Sequence, residues 1–288
     1  MQNLARRGII FFALAMIISG TIGLFVKWID LAPIDIVFYR CLIASIALGA
    51  YVFAFERDKF SKILNKKLLI VLSGLILVFN WIFLFGAFKF TSISIAISIY
   101  YLAPIFVILY GILFLKEDNV KVKLITVIIA FIGAILVSGL NFDTQNSNLA
   151  GIVSAFFAAM LYAFLIIIAK KLKDISPAIL AFIQTLIGAI VLIFFVSNQA
   201  FAIDFNTFKI LTLLGVVHTA LMYILFFKGV HLAPVSAVAL LGFVDPLIAV
   251  LIDFTILHSK LSIYQWLGVF LIMAALAFKT LYELKKSL

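Results

Sequence analysis

Charged side chains are scarce: Asp, Glu, Lys and Arg make up 12% of the 288 residues, about half the usual share of roughly 25%. So few cannot clothe the surface of a water-soluble domain of this length. Compact soluble enzymes, nucleic-acid binders and disordered chains are excluded on that ground. The net charge of +10 is therefore no nucleic-acid footprint. A single cysteine, Cys41, excludes an intrachain disulfide framework and a cysteine metal site. The three histidines, His218, His231 and His258, are not at metal-ligand spacing. No loop resembles a phosphate cradle, and no nucleophile–base pair or paired catalytic carboxylates occur. Neither a cofactor nor a catalytic residue is expected, and ATP hydrolysis is not the power source.

What the chain has instead is apolar length, with 66% of its residues hydrophobic. A helix needs roughly 20 apolar residues to cross the hydrocarbon core of a bilayer. Ten such runs follow one another, at about 8–28, 34–54, 68–88, 92–115, 122–140, 149–169, 177–197, 207–227, 233–257 and 262–280. They predict an all-α integral membrane protein with ten transmembrane helices, numbered here in chain order. The runs are too long and continuous for an outer-membrane barrel, whose strands alternate apolar and polar residues over about ten positions. The first run follows Arg6 and Arg7, but it is too long for a signal core and no small-x-small site follows it. It is read as a retained helix.

Basic residues in the loops set the orientation. With the N-terminus inside, all of the 22 lysines and arginines fall on the inner side except Lys27, Arg40, Lys89, Lys209 and Lys260. Both termini are expected in the cytoplasm.

A shift of 142 residues lays the second half of the chain on the first. Phe85 meets Phe227, Ser94 meets Ser236, Pro104 meets Pro246, and Leu109 meets Leu251. Trp81 falls on Tyr223, and Lys89 on His231. The expected units are 1–141, with helices 1–5, and 142–288, with helices 6–10. An odd helix count per unit makes the second enter the membrane upside-down relative to the first. Such inverted repeats characterise secondary transporters, whose site lies near the midplane between repeats.

Four segments carry a family likeness: GTIGLFVKWI (Gly20–Ile29), IVFYRCLIASIAL (Ile36–Leu48), GAFKFTSISIAISIYYLAPIFV (Gly86–Val107) and KGVHLAPVSAVALLGFVDPLIAVL (Lys228–Leu251). Through them the chain resembles the drug/metabolite transporter superfamily, in its branch built from two EamA domains. The resemblance implies a multi-pass protein of the cytoplasmic membrane of a prokaryotic cell. It also implies alternating-access transport of a small-molecule substrate, most often export of amino acids or related metabolites. Import of riboflavin or S-adenosylmethionine is the alternative it leaves open. A central cavity lined by helices 1, 3, 4, 6, 8 and 9 is implied as well. A channel should show a continuous polar lining or rings of charge, which is missing. A membrane enzyme should concentrate titratable groups, and here they are scattered.

Polar groups at bilayer depth are costly, so each calls for a reason. On helix 4, Ser94, Ser98 and Tyr101 share one face; helix 8 carries Thr212, Thr219 and Tyr223; helix 3 brings Ser73, Asn80 and Trp81. Asn80, Trp81, Tyr101 and Tyr223 are the candidates for a substrate cavity. The serines and threonines read better as small helix-packing residues. Pro104 and Pro246 each remove a backbone donor, freeing the carbonyls of Tyr100 and Gly242; kinks there are candidate gates. Asp245 sits mid-helix, and an acid in hydrocarbon must be neutral, paired or wet. Asp245, and less directly His218, are candidates for carrying a coupling proton. His218 lies about 140° around helix 8 from Tyr223, so both cannot face the cavity squarely. Asp253, nearer the helix end, is read as solvated. Arg40, on a helix expected at the periphery, is assigned a structural or gating role, snorkelling outward or holding backbone carbonyls.

Overall fold

The structure, a computed structural model, describes residues 2–91, 93–115, 119–137, 149–258 and 260–287. Among them there is no strand; a hydrocarbon solvent leaves backbone polar groups no partner but their own helix. Helix 1 spans Asn3–Val26, helix 2 Pro33–Phe55, helix 3 Lys67–Phe90, helix 5 Val120–Val137, helix 6 Leu149–Lys171, helix 7 Pro177–Leu192, helix 8 Phe205–Leu232 and helix 10 Ile263–Ser287. Helix 4 comes in two pieces, Ile93–Tyr100 and Ala103–Leu115, and so does helix 9, as Val235–Leu241 and Val244–Thr255. Among the described residues, nine of the ten are long and apolar enough to cross a membrane, and helix 10 adds the shorter apolar stretch Ile263–Lys279. Helix 1 begins five or six residues earlier than its apolar run, so the exposed Arg6 and Arg7 lie on its first turns. Lys116 and the loop around 118 lie outside the described residues, as do the side chains of Lys62, Lys89, Ser94 and Asp253.

The most extensive helix contacts pair 3 with 6, 5 with 10, 1 with 8 and 2 with 7. Exchanging the two halves of the chain maps this set onto itself: 3·6 becomes 8·1, and the other two pairs are unchanged. Glycines repeat the symmetry at close range. A Cβ added at Gly74 of helix 3 would lie 2.6 Å from the Ile187 side chain of helix 7, and one added at Gly215 of helix 8 would lie 2.6 Å from that of Ile43 in helix 2. Helices 5 and 10 cross where Gly133 faces Gly268. Lipid gives helices no hydrophobic reason to associate, so close approach through small residues supplies the contact energy.

Helices 2 and 7 are fastened at both ends by a carboxylate and a serine. Asp35 accepts from the Ser197 N–H at 2.9 Å and the Ser197 hydroxyl at 2.6 Å. At the opposite end the Ser176 hydroxyl donates to Glu56. Lys66 closes the same end, pairing with Asp174 at 2.5 Å and donating to the Lys171 carbonyl at 3.2 Å. A charged hydrogen bond between neighbouring helix ends orients each pair of helices more than it stabilises them.

A candidate substrate cavity between the repeats

Helices 4 and 9 each break at their proline. Helix 4 loses regularity at Tyr101–Leu102, just before Pro104, and helix 9 at Gly242–Phe243, just before Pro246. The missing N–H and the ring clash with the preceding turn account for each break. The two breaks face each other: a Cβ added at Gly242 would lie 3.6 Å from Pro104 Cγ. Tyr101 and Phe243, equivalent under the 142-residue shift, touch with ring centroids 6.4 Å apart. Trp81 and Tyr223, also equivalent, touch at 6.4 Å. A residue can contact its own repeat equivalent only beside the axis that relates the repeats. Two such pairs therefore mark that axis.

A cavity of about 230 Å³ lies there, walled by Trp81, Phe85, Tyr100, Tyr101, Tyr162, Tyr223 and Phe226, with Arg40, Ser19 and Asp245 among its polar lining. Helix 1 reaches it where it is itself broken, between Gln2–Gly20 and Ile22–Val26. Gly20 lets this break approach helix 9, since a Cβ there would lie 2.6 Å from the Asp245 carbonyl oxygen. Ser19 and Asp245 line the same cavity. Asp245 is half-buried, and its open side is the cavity.

Trp81, Tyr101, Tyr223, Pro104 and Asp245 thus come together on one cavity, and Gly242, whose carbonyl Pro246 frees, joins them. Asn80 does not line it. It is 1% exposed, donates to the Ala158 carbonyl of helix 6 at 2.6 Å, and meets the Tyr100 hydroxyl at 3.3 Å. Its part is to hold Tyr100 against the cavity. Asparagine and tryptophan are adjacent on helix 3, about 100° apart, so only one can face inward.

His218 likewise points elsewhere. Its Nε2 lies 2.8 Å from Thr21 Oγ1, and its ring packs edge-on to Phe25 at 4.9 Å. The Thr21 hydroxyl also lies 2.8 Å from the Ile18 carbonyl oxygen. Of the hydroxyl stripes, Ser73 donates to Ile70 and receives Gln184 of helix 7, and Thr212 donates to Phe208. These are packing contacts away from the cavity.

Arg40 departs most from its expected position. Helix 2 is not merely peripheral, and the guanidinium lines the same cavity as Asp245. Its anchor is a π-helical turn, Val216–Leu221, inside helix 8. Arg40 Nε donates to Thr219 Oγ1 at 3.1 Å and Nη2 to the His218 carbonyl at 3.3 Å. Thr219 Oγ1 in turn donates to Leu214, five residues back, at 3.0 Å. A π-turn leaves carbonyls without their usual i+4 donor, and Arg40 supplies one. Periodicity offers no signal for a single inserted residue, so sequence reading could not bring Arg40 inward. Tyr100, Tyr162 and Ser19 line the cavity as well, and no spacing in the sequence singled them out. Among the described residues no His, Cys, Asp or Glu cluster could hold a metal ion.

The profile of the EamA-like transporter family matches this chain twice, over residues 6–139 and 149–281. A Bacillus subtilis protein named as an uncharacterized transporter, YxxF, is 36% identical over 268 residues, covering 92% of this chain and 86% of the relative. A second B. subtilis protein named in the same way, YojE, is 27% identical over 97% of this chain and 95% of its own length. A solved crystal structure superposes with a TM-score of 0.81 at 16% identity, covering 96% of this chain and 98% of the other; at that identity it speaks for the fold alone. Two matched repeats, apolar helices throughout and a cavity on the repeat axis agree: this chain is a multi-pass membrane protein and belongs to the EamA-like transporter family.

Proposed function

We propose that the protein is a secondary-active carrier that moves an amino acid or related small metabolite across the cytoplasmic membrane by alternating access, in the export direction. The observation that carries this reading is the pair of helix breaks, at Tyr101–Leu102 and Gly242–Phe243, meeting beside one cavity. Broken helices at the midplane of two repeats let one half rock against the other around a fixed site. Repeats 1–141 and 142–288 are the bodies that rock, and Pro104 and Pro246 are where each bends. Trp81, Tyr101 and Tyr223 offer the substrate aromatic faces, and the Tyr100 and Tyr162 rings complete the wall. Asp245 exchanges the coupling proton as helix 9 exposes it to each side in turn. Arg40 keeps the structural part of this assignment through its bonds to the helix 8 π-turn.

Radiolabel counterflow in proteoliposomes tests the class. A carrier accelerates uptake of labelled substrate when unlabelled substrate is inside; a pore or an enzyme does not. Screening amino acids as the labelled species tests the substrate, and absence of trans-acceleration across the whole set overturns the reading.

Replacing Trp81 or Tyr101 by alanine is expected to cut counterflow at least tenfold with membrane abundance unchanged, since each removes aromatic contact worth about 1.5 kcal/mol or more. Normal transport by both variants would move the substrate site off this cavity.

The basic distribution supports cytoplasmic termini. A membrane-impermeant thiol reagent applied from outside should reach a cysteine at position 146 and miss one at position 62. The reverse pattern would invert the topology.

A further inference from the structure

Arg40 is a full charge inside a membrane span, and its neighbours satisfy only one edge of it. A guanidinium carries five N–H groups in a rigid fork. Nε and one Nη2 proton bond helix 8 at 3.1 and 3.3 Å. These two belong to one edge of the plane. The end-on fork, made by Nη1 and the second Nη2 proton, engages no hydrogen bond or ion pair among the described residues. Arg40 nevertheless lines the cavity, together with Asp245, and the two are not ion-paired. Arg40 is half-buried, and charged donors at membrane depth without acceptors are costly, so this edge is suited to a ligand that arrives with its own negative charge.

We infer that Arg40 is the anion anchor of the cavity: its open fork receives a carboxylate of the substrate bidentately, while its other edge stays on the helix 8 π-turn. The inference rests on the carrier reading above and deepens it to a substrate class. Set in an aromatic-walled space of about 230 Å³, it selects a compact molecule carrying a carboxylate over an amine or a neutral molecule. Planar two-point bonding is what guanidinium does and ammonium does not. Repeat symmetry does not supply this chemistry: the residue equivalent to Arg40 under the 142-residue shift is Phe182. The charge is placed where the repeats differ, as recognition of an asymmetric molecule requires. The anchor also ties occupancy to helix 8, because a carboxylate pulling on the fork pulls on the bonds to His218 and Thr219.

Site-resolved labelling with phenylglyoxal, an arginine reagent, tests this on the wild-type protein in native membranes. The protein has four arginines, and Arg6, Arg7 and Arg57 serve as internal controls for reagent access. Arg40 is expected to react, and a panel of L-amino acids, their decarboxylated amines and their amino alcohols is offered as protectant. At ten times its dissociation constant, a binding amino acid should slow Arg40 labelling about tenfold, leave the three controls unchanged, and lose its effect when the carboxylate is removed. Refusal of the reagent by Arg40 while the controls react would mean its fork is closed, and would overturn the inference. Equal protection by the amines, or protection by no carboxylate in the panel, would overturn it too. Labelling needs no transport, so the outcomes separate: counterflow without protection keeps the carrier and removes the anchor, and protection without counterflow does the opposite. A lysine variant, Arg40→Lys, supplies the second measurement in counterflow. It keeps the charge but not the fork, and is expected to lose at least tenfold in apparent affinity with abundance retained.

Discussion

Asp245→Asn should abolish accumulation driven by a pH gradient while leaving substrate exchange intact. Asparagine keeps the shape but cannot take up or release a proton. Exchange of labelled for unlabelled substrate moves no net proton, so it does not need the titrating group. With one proton moved per substrate, a gradient of one pH unit supports at most about tenfold accumulation. The variant's ratio should fall to about one. Measuring uptake into proteoliposomes with an imposed gradient, beside counterflow in the same preparation, reads both quantities at once. If the asparagine variant still concentrates substrate, Asp245 is structural and coupling lies elsewhere. Loss of exchange as well would instead put the carboxylate in direct contact with the substrate.

Gly268→Leu should prevent stable assembly of the two repeats. A Cβ at position 268 would lie 2.5 Å from the Gly133 carbonyl oxygen and 2.8 Å from the Val137 nitrogen. Both obstacles are backbone of helix 5, so no rotamer change can clear them and the helices must separate. Overpacking of this kind costs about 3 kcal/mol or more, a large share of the roughly 5–15 kcal/mol that holds a protein folded. Thermal unfolding followed by size-exclusion chromatography of a fluorescent fusion should show little or no folded protein. Gly86 provides the control, since a Cβ there meets nothing within 4 Å; Gly86→Ala should retain the wild-type midpoint. Equal behaviour of the two variants would show that the 5·10 crossing is not a close one in the membrane.

Much of the site was legible along the chain. Trp81 and Tyr223 could be picked as equivalent because the 142-residue shift is written in the sequence, and so could the matched prolines. That the two rings touch was not legible, because contact depends on where the repeat axis falls. Asn80 shows the converse. Its polarity at bilayer depth is visible in one dimension, but the 2.6 Å bond to Ala158 that turns it from the cavity needs helix 6 in place. His218 does not line the cavity that Tyr223 faces. Its partner, Thr21, stands 197 positions away and could not be read.

By itself the sequence determined the solvent, the helix count and the duplication. Each follows from local quantities: the length of an apolar run against bilayer thickness, and the recurrence of residues at a fixed offset. It also determined where helices 4 and 9 break, because a proline removes its own N–H wherever it stands. Only the tertiary structure decided what the breaks enclose and which polar groups face it. Arg40 is the clearest case, because a π-turn in helix 8 spends one extra residue and offers carbonyls that draw a side chain of helix 2 inward. Helix orientation about its own axis is set by the glycines and small side chains of its neighbours. That information is distributed over the partners and is absent from any single run.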